Sequence, residues 1–155
     1  MNNFAIQLVA SLVGTLGFGI LFKVHPKKLP IVALLGGGCY ALYFLFASVL
    51  HTNVFVAAIA ATAFVSATAE LLSRVMRAPT IIFIIPSIIP IVPGGALYKF
   101  MKELIHGNSA GAGGYGKEAI LTALGVAGGI IVVSIIANVA MGIIERIKEK
   151  SKNEG

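Results

Sequence analysis

Between residues 79 and 98 the chain reads PTIIFIIPSIIPIVPGGALY. The stretch is as apolar as a membrane span, yet it holds Pro79, Pro86, Pro90 and Pro93 and then Gly94-Gly95. An interior proline removes a backbone N–H and clashes with the carbonyl four residues back. Hydrocarbon offers no water to satisfy what is freed, and an unpaired backbone group there costs several kcal/mol. Broken main chain at membrane depth is therefore stable only where protein or a water-filled cavity surrounds it. Discontinuous helices of this kind line transport pathways.

Composition removes the soluble alternative. Of 155 residues, 57% are hydrophobic and 12% charged, against about 25% charged in a soluble domain. One small core could not hide that much apolar surface. The expected fold is an all-α polytopic membrane bundle of about five transmembrane helices, one of them broken by Pro and Gly. It forms a single integral membrane domain over residues 1–155. The start, MNNF, has neither a positive n-region nor a closing cleavage site, so the first apolar run reads as a retained span rather than a signal peptide.

The five segments are residues 4–22, 31–50, 54–75, 80–101 and 120–144. Each approaches or exceeds the ~20 apolar residues that cross ~30 Å of hydrocarbon. A basic turn with Lys23, Lys27 and Lys28 separates the first two, and His51-Thr52-Asn53 the next two. The run HGNSAGAGGYG, residues 106–116, follows no strand and lacks both GxGxxG and a Walker lysine. It reads as a flexible glycine-rich connection. Residues 145–155 form a polar, charged tail, the frayed end of the last helix.

The fourth segment either spans or re-enters. If it spans, Lys23, Lys27, Lys28, Arg74, Arg77, Arg146, Lys148, Lys150 and Lys152 share one side, nine of the twelve Lys and Arg. If it re-enters, the division is eight against four. The positive-inside rule favours five spans, with the N-terminus outside and the C-terminus cytoplasmic. On this reading the +6 formal charge sets topology and does not indicate a nucleic-acid partner.

Small residues fill the spans: Gly36-Gly37-Gly38, the Ala57-Ala58-Ala61 stripe, and the Gly125/Gly129 pair. They let helix backbones approach closely, either within the chain or against another subunit. A thin five-helix bundle favours some assembly, so a homo-oligomer is one expected outcome.

The groups that could carry chemistry are few. The chain has no aspartate, and His25, His51 and His106 all fall in connections with no metal-binding spacing. Cys39 is alone in an apolar run and reads as a packing residue. No serine in a span has a histidine beside it, as nucleophilic catalysis would require. The chain reads as a non-enzyme without metal or cofactor. Glu70 is the one carboxylate that could reach membrane depth. It either pairs with Arg74 four residues on or acts as a proton-responsive or substrate-contacting group. Asn138 has both donors and an acceptor within a span, with Ser134 one turn earlier. Gln7, Thr15 and Thr122 are further polar positions, each read as an interhelical hydrogen bond or a solute contact.

In the broken segment Pro86 frees the Ile82 carbonyl and Pro90 the Pro86 carbonyl. Pro93 disfavours a helical Val92, and Gly94-Gly95 permits close approach. A half-helix restarting near Gly95 and running through Tyr98 would place free N–H groups and partial positive charge where a carboxylate could bind. The expected substrate path is Pro86, Pro90, Pro93, Gly94, Gly95 and Tyr98, with Glu70 and Asn138 as polar neighbours.

The pattern P-T-x5-P-x3-P-x2-P-G-G-x2-Y, preceded by Ser73-Arg74, resembles the threonine/serine exporter (ThrE) family, in particular its small C-terminal-type half. That resemblance implies a proton-motive-force-linked exporter of small polar metabolites in the inner membrane, with threonine and serine as namesake substrates. Related two-component systems handle a dicarboxylate such as succinate. It also implies a larger partner membrane subunit corresponding to the N-terminal-type half. The runner-up is a non-transporting scaffold that stabilises such a partner.

Overall fold

The computed structural model describes residues 2–153, with side chains placed for residues 4–143. Among the described residues the fold is all helical, without strands. Helix α1 spans Asn2–Leu21, α2 Leu29–Phe44, α3 Val54–Val75, α4 Ile81–Ile88, α5 Gly94–Ile105 and α6 Ser109–Asn153. A π-helical turn, Leu45–Val49, extends α2, and a 3₁₀ turn, Ile89–Ile91, extends α4. Among the described residues four helices are long and apolar enough to cross a membrane, and a fifth crossing results if α4 and α5 are counted together.

Side-chain contacts fix the helix directions. Tyr40 donates to the Gln7 side-chain carbonyl, and Gly36 faces Thr15, so α1 and α2 are antiparallel. Lys28 Nζ reaches the Met76 carbonyl at 3.5 Å, and Cys39 Sγ lies 3.9 Å from the Ala61 carbonyl, so α2 and α3 are antiparallel. Gly125 lies against Phe55 and Gly129 against Ile59 and Thr62, so α6 runs parallel to α3. Because Gly125 is level with the second residue of α3, the earlier turns of α6 reach beyond the start of α3.

The core follows from small residues. Ala57, Ala58, Ala61, Val65 and Ala69 are fully buried along one face of α3. A Cβ on Gly125 would stand 2.6 Å from the Phe55 carbonyl oxygen, closer than atoms pack. Gly36 and Gly37 likewise admit Thr15 and Leu12 of α1. The small-residue faces expected from the sequence thus meet inside the chain, where close backbone contact supplies the dispersion energy that lipid-exposed leucines cannot.

The fourth segment does not double back. Phe83 packs with Ala69 near the end of α3, and Ile91 with Ala61 and Val65 near its middle. Val92 then leaves the helical region (φ −57°, ψ 131°), as a residue before proline is pressed to do. α5 restarts at Gly94, bent by 43° from the preceding helix, and continues past the α3 start. There Lys99 lies over the Tyr115 ring of α6, and Phe100 lies against Gly116.

One expectation is overturned. Residues 106–116 are not a flexible loop: Gly107 turns the chain with φ +72°, and Ser109 onward is helical. Asn108 Oδ1 accepts from the Gly111 N–H at 3.1 Å, and Asn108 Nδ2 donates to Glu103 Oε2 at 2.7 Å. Helix propensity alone disfavours so many glycines, but the cap and close packing on α5 outweigh it. Of the tail, residues 145–153 continue α6, and residues 154–155 lie outside the described residues.

Candidate substrate path

Pro86 is fully buried within α4, and its neighbour Ser87 is also fully buried. Ser87 Oγ donates to the Val32 carbonyl at 3.2 Å. This bond pins the proline-containing turn to α2, so the weakened helix lies within protein rather than lipid, as the cost of unpaired backbone requires. Pro90 sits in the 3₁₀ turn, half-buried. Having no N–H, it leaves the Pro86 carbonyl without its i+4 donor.

Beside Pro90 opens a groove of about 370 Å³ between α1, α2 and the 3₁₀ turn, lined by Gln7, Ser11, Thr15, Tyr40, Ile89 and Pro90 among others. Its position follows from the register: Cys39 and Ile91, neighbours of Tyr40 and Pro90, both pack at Ala61 near the middle of α3. The walls are largely apolar, and the hydroxyls of the buried Ser11 and Thr15 are spent within α1. Ser11 Oγ donates to the Gln7 carbonyl and Thr15 Oγ1 to the Ser11 carbonyl, each at 2.7 Å. At one end Phe4, Tyr40 and Phe44 cluster, with the Phe4 and Phe44 ring centres 4.7 Å apart.

The residues expected to line a path divide between places. Pro86, Pro90 and Pro93 follow one another along the broken segment, and only Pro90 of the expected set lines the groove. Pro93 caps α5. Gly94 and Gly95 are exposed, and a Cβ on either would meet nothing within 4 Å. Tyr98 is 71% exposed. Glu70 lines a second cavity, about 270 Å³, with Arg74, Ala137 and other residues of α3 and α6. Glu70 and Arg74 are not within the 4.0 Å of an ion pair. Asn138 is exposed on α6.

The groove brings forward two residues that reading the sequence passed over, Ser11 and Tyr40. A signal for Ser11 was present: Gln7, Ser11 and Thr15 recur every four residues and so form one polar stripe on α1. Tyr40 carried no local signal. It joins the stripe only because Gly36 and Gly37 set the α1–α2 register.

Comparison with known proteins places this arrangement. No curated protein and no solved structure matches the chain. A family model described as Threonine/Serine exporter, ThrE matches residues 7–136, which takes in α2 to α5 whole, α1 from Gln7 onward, and α6 as far as Ile136. This multi-pass helical chain belongs to the threonine/serine exporter family, a family of membrane transporters.

Proposed function

We propose that the chain is one subunit of a secondary exporter of small polar metabolites, threonine or serine or a dicarboxylate such as succinate. Export is linked to the proton motive force, and a larger membrane subunit of the same family completes the path. The reading places the chain in the inner membrane with its N-terminus outside and its C-terminus cytoplasmic, the side richer in Lys and Arg. The path passes the broken segment at Pro86, Pro90, Pro93, Gly94 and Gly95 and leaves past Tyr98. Glu70 on α3 and Asn138 on α6 are its polar neighbours.

The observation that carries the reading is the proline-broken turn held inside the bundle next to a largely apolar groove whose wall includes the Gln7 amide and the Tyr40 hydroxyl. A packing kink alone does not require hydroxyl and amide groups at that level, where polar side chains are costly. Small solutes crossing a membrane do.

Reconstitution in liposomes with the larger subunit tests it. Counterflow of labelled serine, threonine or succinate is expected with both chains present and absent with either removed. Equal flux from the larger subunit alone would make this chain a scaffold. Replacing Glu70 with Gln is expected to alter the pH dependence of export. An unchanged profile would leave Glu70 a structural group of the α3–α6 cavity.

A further inference from the structure

α5 carries three different faces. At about 100° per residue, Ala96, Phe100 and Glu103 share one arc. They are half-buried, with Phe100 against Gly116 of α6 and Glu103 accepting from Asn108. Lys99, Lys102 and His106 share a second arc, and all three are exposed. Leu97, Tyr98, Met101, Leu104 and Ile105 form a third arc, about 120° wide. All five are exposed, from 47% at Leu104 to 80% at Ile105. Among the described residues nothing covers them.

The contacts with α6 say which way that arc points. Phe100 meets Gly116 and Glu103 lies near Gly111, so the two helices are antiparallel. Lys99 Nζ lies 5.3 Å from the centre of the Tyr115 ring, which puts the basic arc on the Tyr115 side of the pair. The apolar arc therefore lies on the other side, the one shared by Gly113, Ile120 and Leu124 of α6. Ile120 and Leu124 are exposed apolar residues of the last span, so the arc continues the lipid-facing surface of α6. Its level follows from α3, whose 22 residues are just long enough to cross ~30 Å of hydrocarbon. The start of α3 thus marks one edge of that layer. Ile91 packs near the middle of α3, whereas Phe100 lies against Gly116, nine residues before the Gly125 that meets Phe55. α5 passes the hydrocarbon edge obliquely, and its outer turns stand among the headgroups.

We propose that α5 is an interfacial helix: its apolar arc beds in the acyl–headgroup boundary of the bilayer that the chain itself spans, with Lys99 and Lys102 at the level of the lipid phosphates. Amphipathic helices with a basic polar face bind that layer through buried apolar area and attraction to anionic lipid. Lysine stems cover apolar surface while the ammonium reaches outward. Tyr98 stands where the apolar and basic arcs meet, the headgroup position that aromatic residues favour. A second copy of the chain would require a polar rim around the arc, but one flank of it runs on into lipid-facing α6. This placement depends on the membrane bundle alone and not on the transport reading.

Fluorescence quenching on the full-length chain tests it. Met101→Cys, Ile105→Cys and Lys102→Cys are each labelled with an environment-sensitive fluorophore. The parent, whose Cys39 is fully buried, is the control. The chains are reconstituted in vesicles of phosphatidylcholine and phosphatidylglycerol. One quencher is aqueous iodide, and the other is a lipid with a nitroxide on its acyl chain close to the headgroup. The ratio of lipid to iodide quenching is expected to be about threefold or more higher at positions 101 and 105 than at 102. In phosphatidylcholine alone, or with Lys99→Gln and with a mixed-vesicle Ile105→Cys label, that ratio at 105 is expected to fall about twofold. Should a labelled variant fail to reconstitute, Leu104→Cys or Tyr98→Cys replaces it on the arc. Equal ratios at all three positions overturn the proposal, because the arc then faces water. Exclusion of both quenchers from 101 and 105 overturns it too, because a protein surface then covers the arc. A ratio at 105 indifferent to phosphatidylglycerol and to Lys99→Gln removes the lysines from the contact.

Discussion

The α3–α6 seam and the α4–α5 segment both contain paired glycines, but in opposite settings. In the seam, Gly125 and Gly129 lie directly against the Phe55 and Ile59 carbonyls and the Thr62 side chain, and a Cβ on either would overlap them. In the broken segment, Gly94 and Gly95 open α5 with nothing of the chain within 4 Å of where a Cβ would sit. Close helix contact in lipid needs small residues, so the seam glycines are explained by packing. The other pair begins a helix after an extended Val92 and a proline, and internal packing does not require it. One pair holds the bundle together, while the other is available for what lies outside the chain.

Substitutions test that contrast directly. The largest effect is expected from Gly129→Leu, which forces the seam apart: destabilisation of about 3 kcal/mol and loss of monodisperse protein, read by thermal unfolding in detergent. A near-normal unfolding temperature would mean the seam is looser than its geometry. Gly94→Leu is expected to leave unfolding within about 0.5 kcal/mol of the parent while abolishing export by the two-subunit system. Normal export by the folded variant would remove the backbone at Gly94 from the path. Ser87→Ala deletes the bond to the Val32 carbonyl and is expected to cost about 1 kcal/mol. A much larger loss would show that this bond alone holds the proline turn in place. The smallest effect belongs to Ser66→Ala. Ser66 Oγ is buried without a hydrogen-bond partner, so its removal is expected to be neutral or to stabilise by about 1 kcal/mol. Measurable destabilisation would reveal a partner for that hydroxyl in the membrane.

Much of the architecture was legible because membrane solvation leaves few choices. Runs of apolar residues long enough to cross could only be helices, and Pro93 pressed Val92 out of the helical region, although Ile89 before Pro90 stays helical. The restart of α5 came where Gly94-Gly95 allowed it, although it runs on to Ile105 rather than stopping near Met101. Residues 106–116 misled because glycine content signals a loop only when nothing compensates. Here Asn108 caps the helix, and Phe100 occupies the space that Gly116 leaves. The groove was only half legible. Gln7 and Thr15 were visible as polar residues in a span, but their meeting with Tyr40 depends on interhelical register, which no single segment encodes. Glu70 and Asn138 were grouped with the prolines for their chemistry alone. The structure sets Glu70 against α6, in a cavity that shares no lining residue with the groove.

The extended residue at Val92 has a mechanical consequence. α4 rests on α2 and α3, whereas α5 rests on α6. Between the last 3₁₀ bond, Val92 N–H to Ile89 carbonyl, and the first bond of α5, Leu97 N–H to Pro93 carbonyl, the Gly94 N–H to Val92 carbonyl contact is the local backbone link. A ladder so thin there behaves as a joint rather than a rod. If the α1–α2 pair and the α3–α6 pair slide relative to each other, rotation about Pro93 ψ and the Gly94 torsions can absorb the travel while both helical halves stay intact.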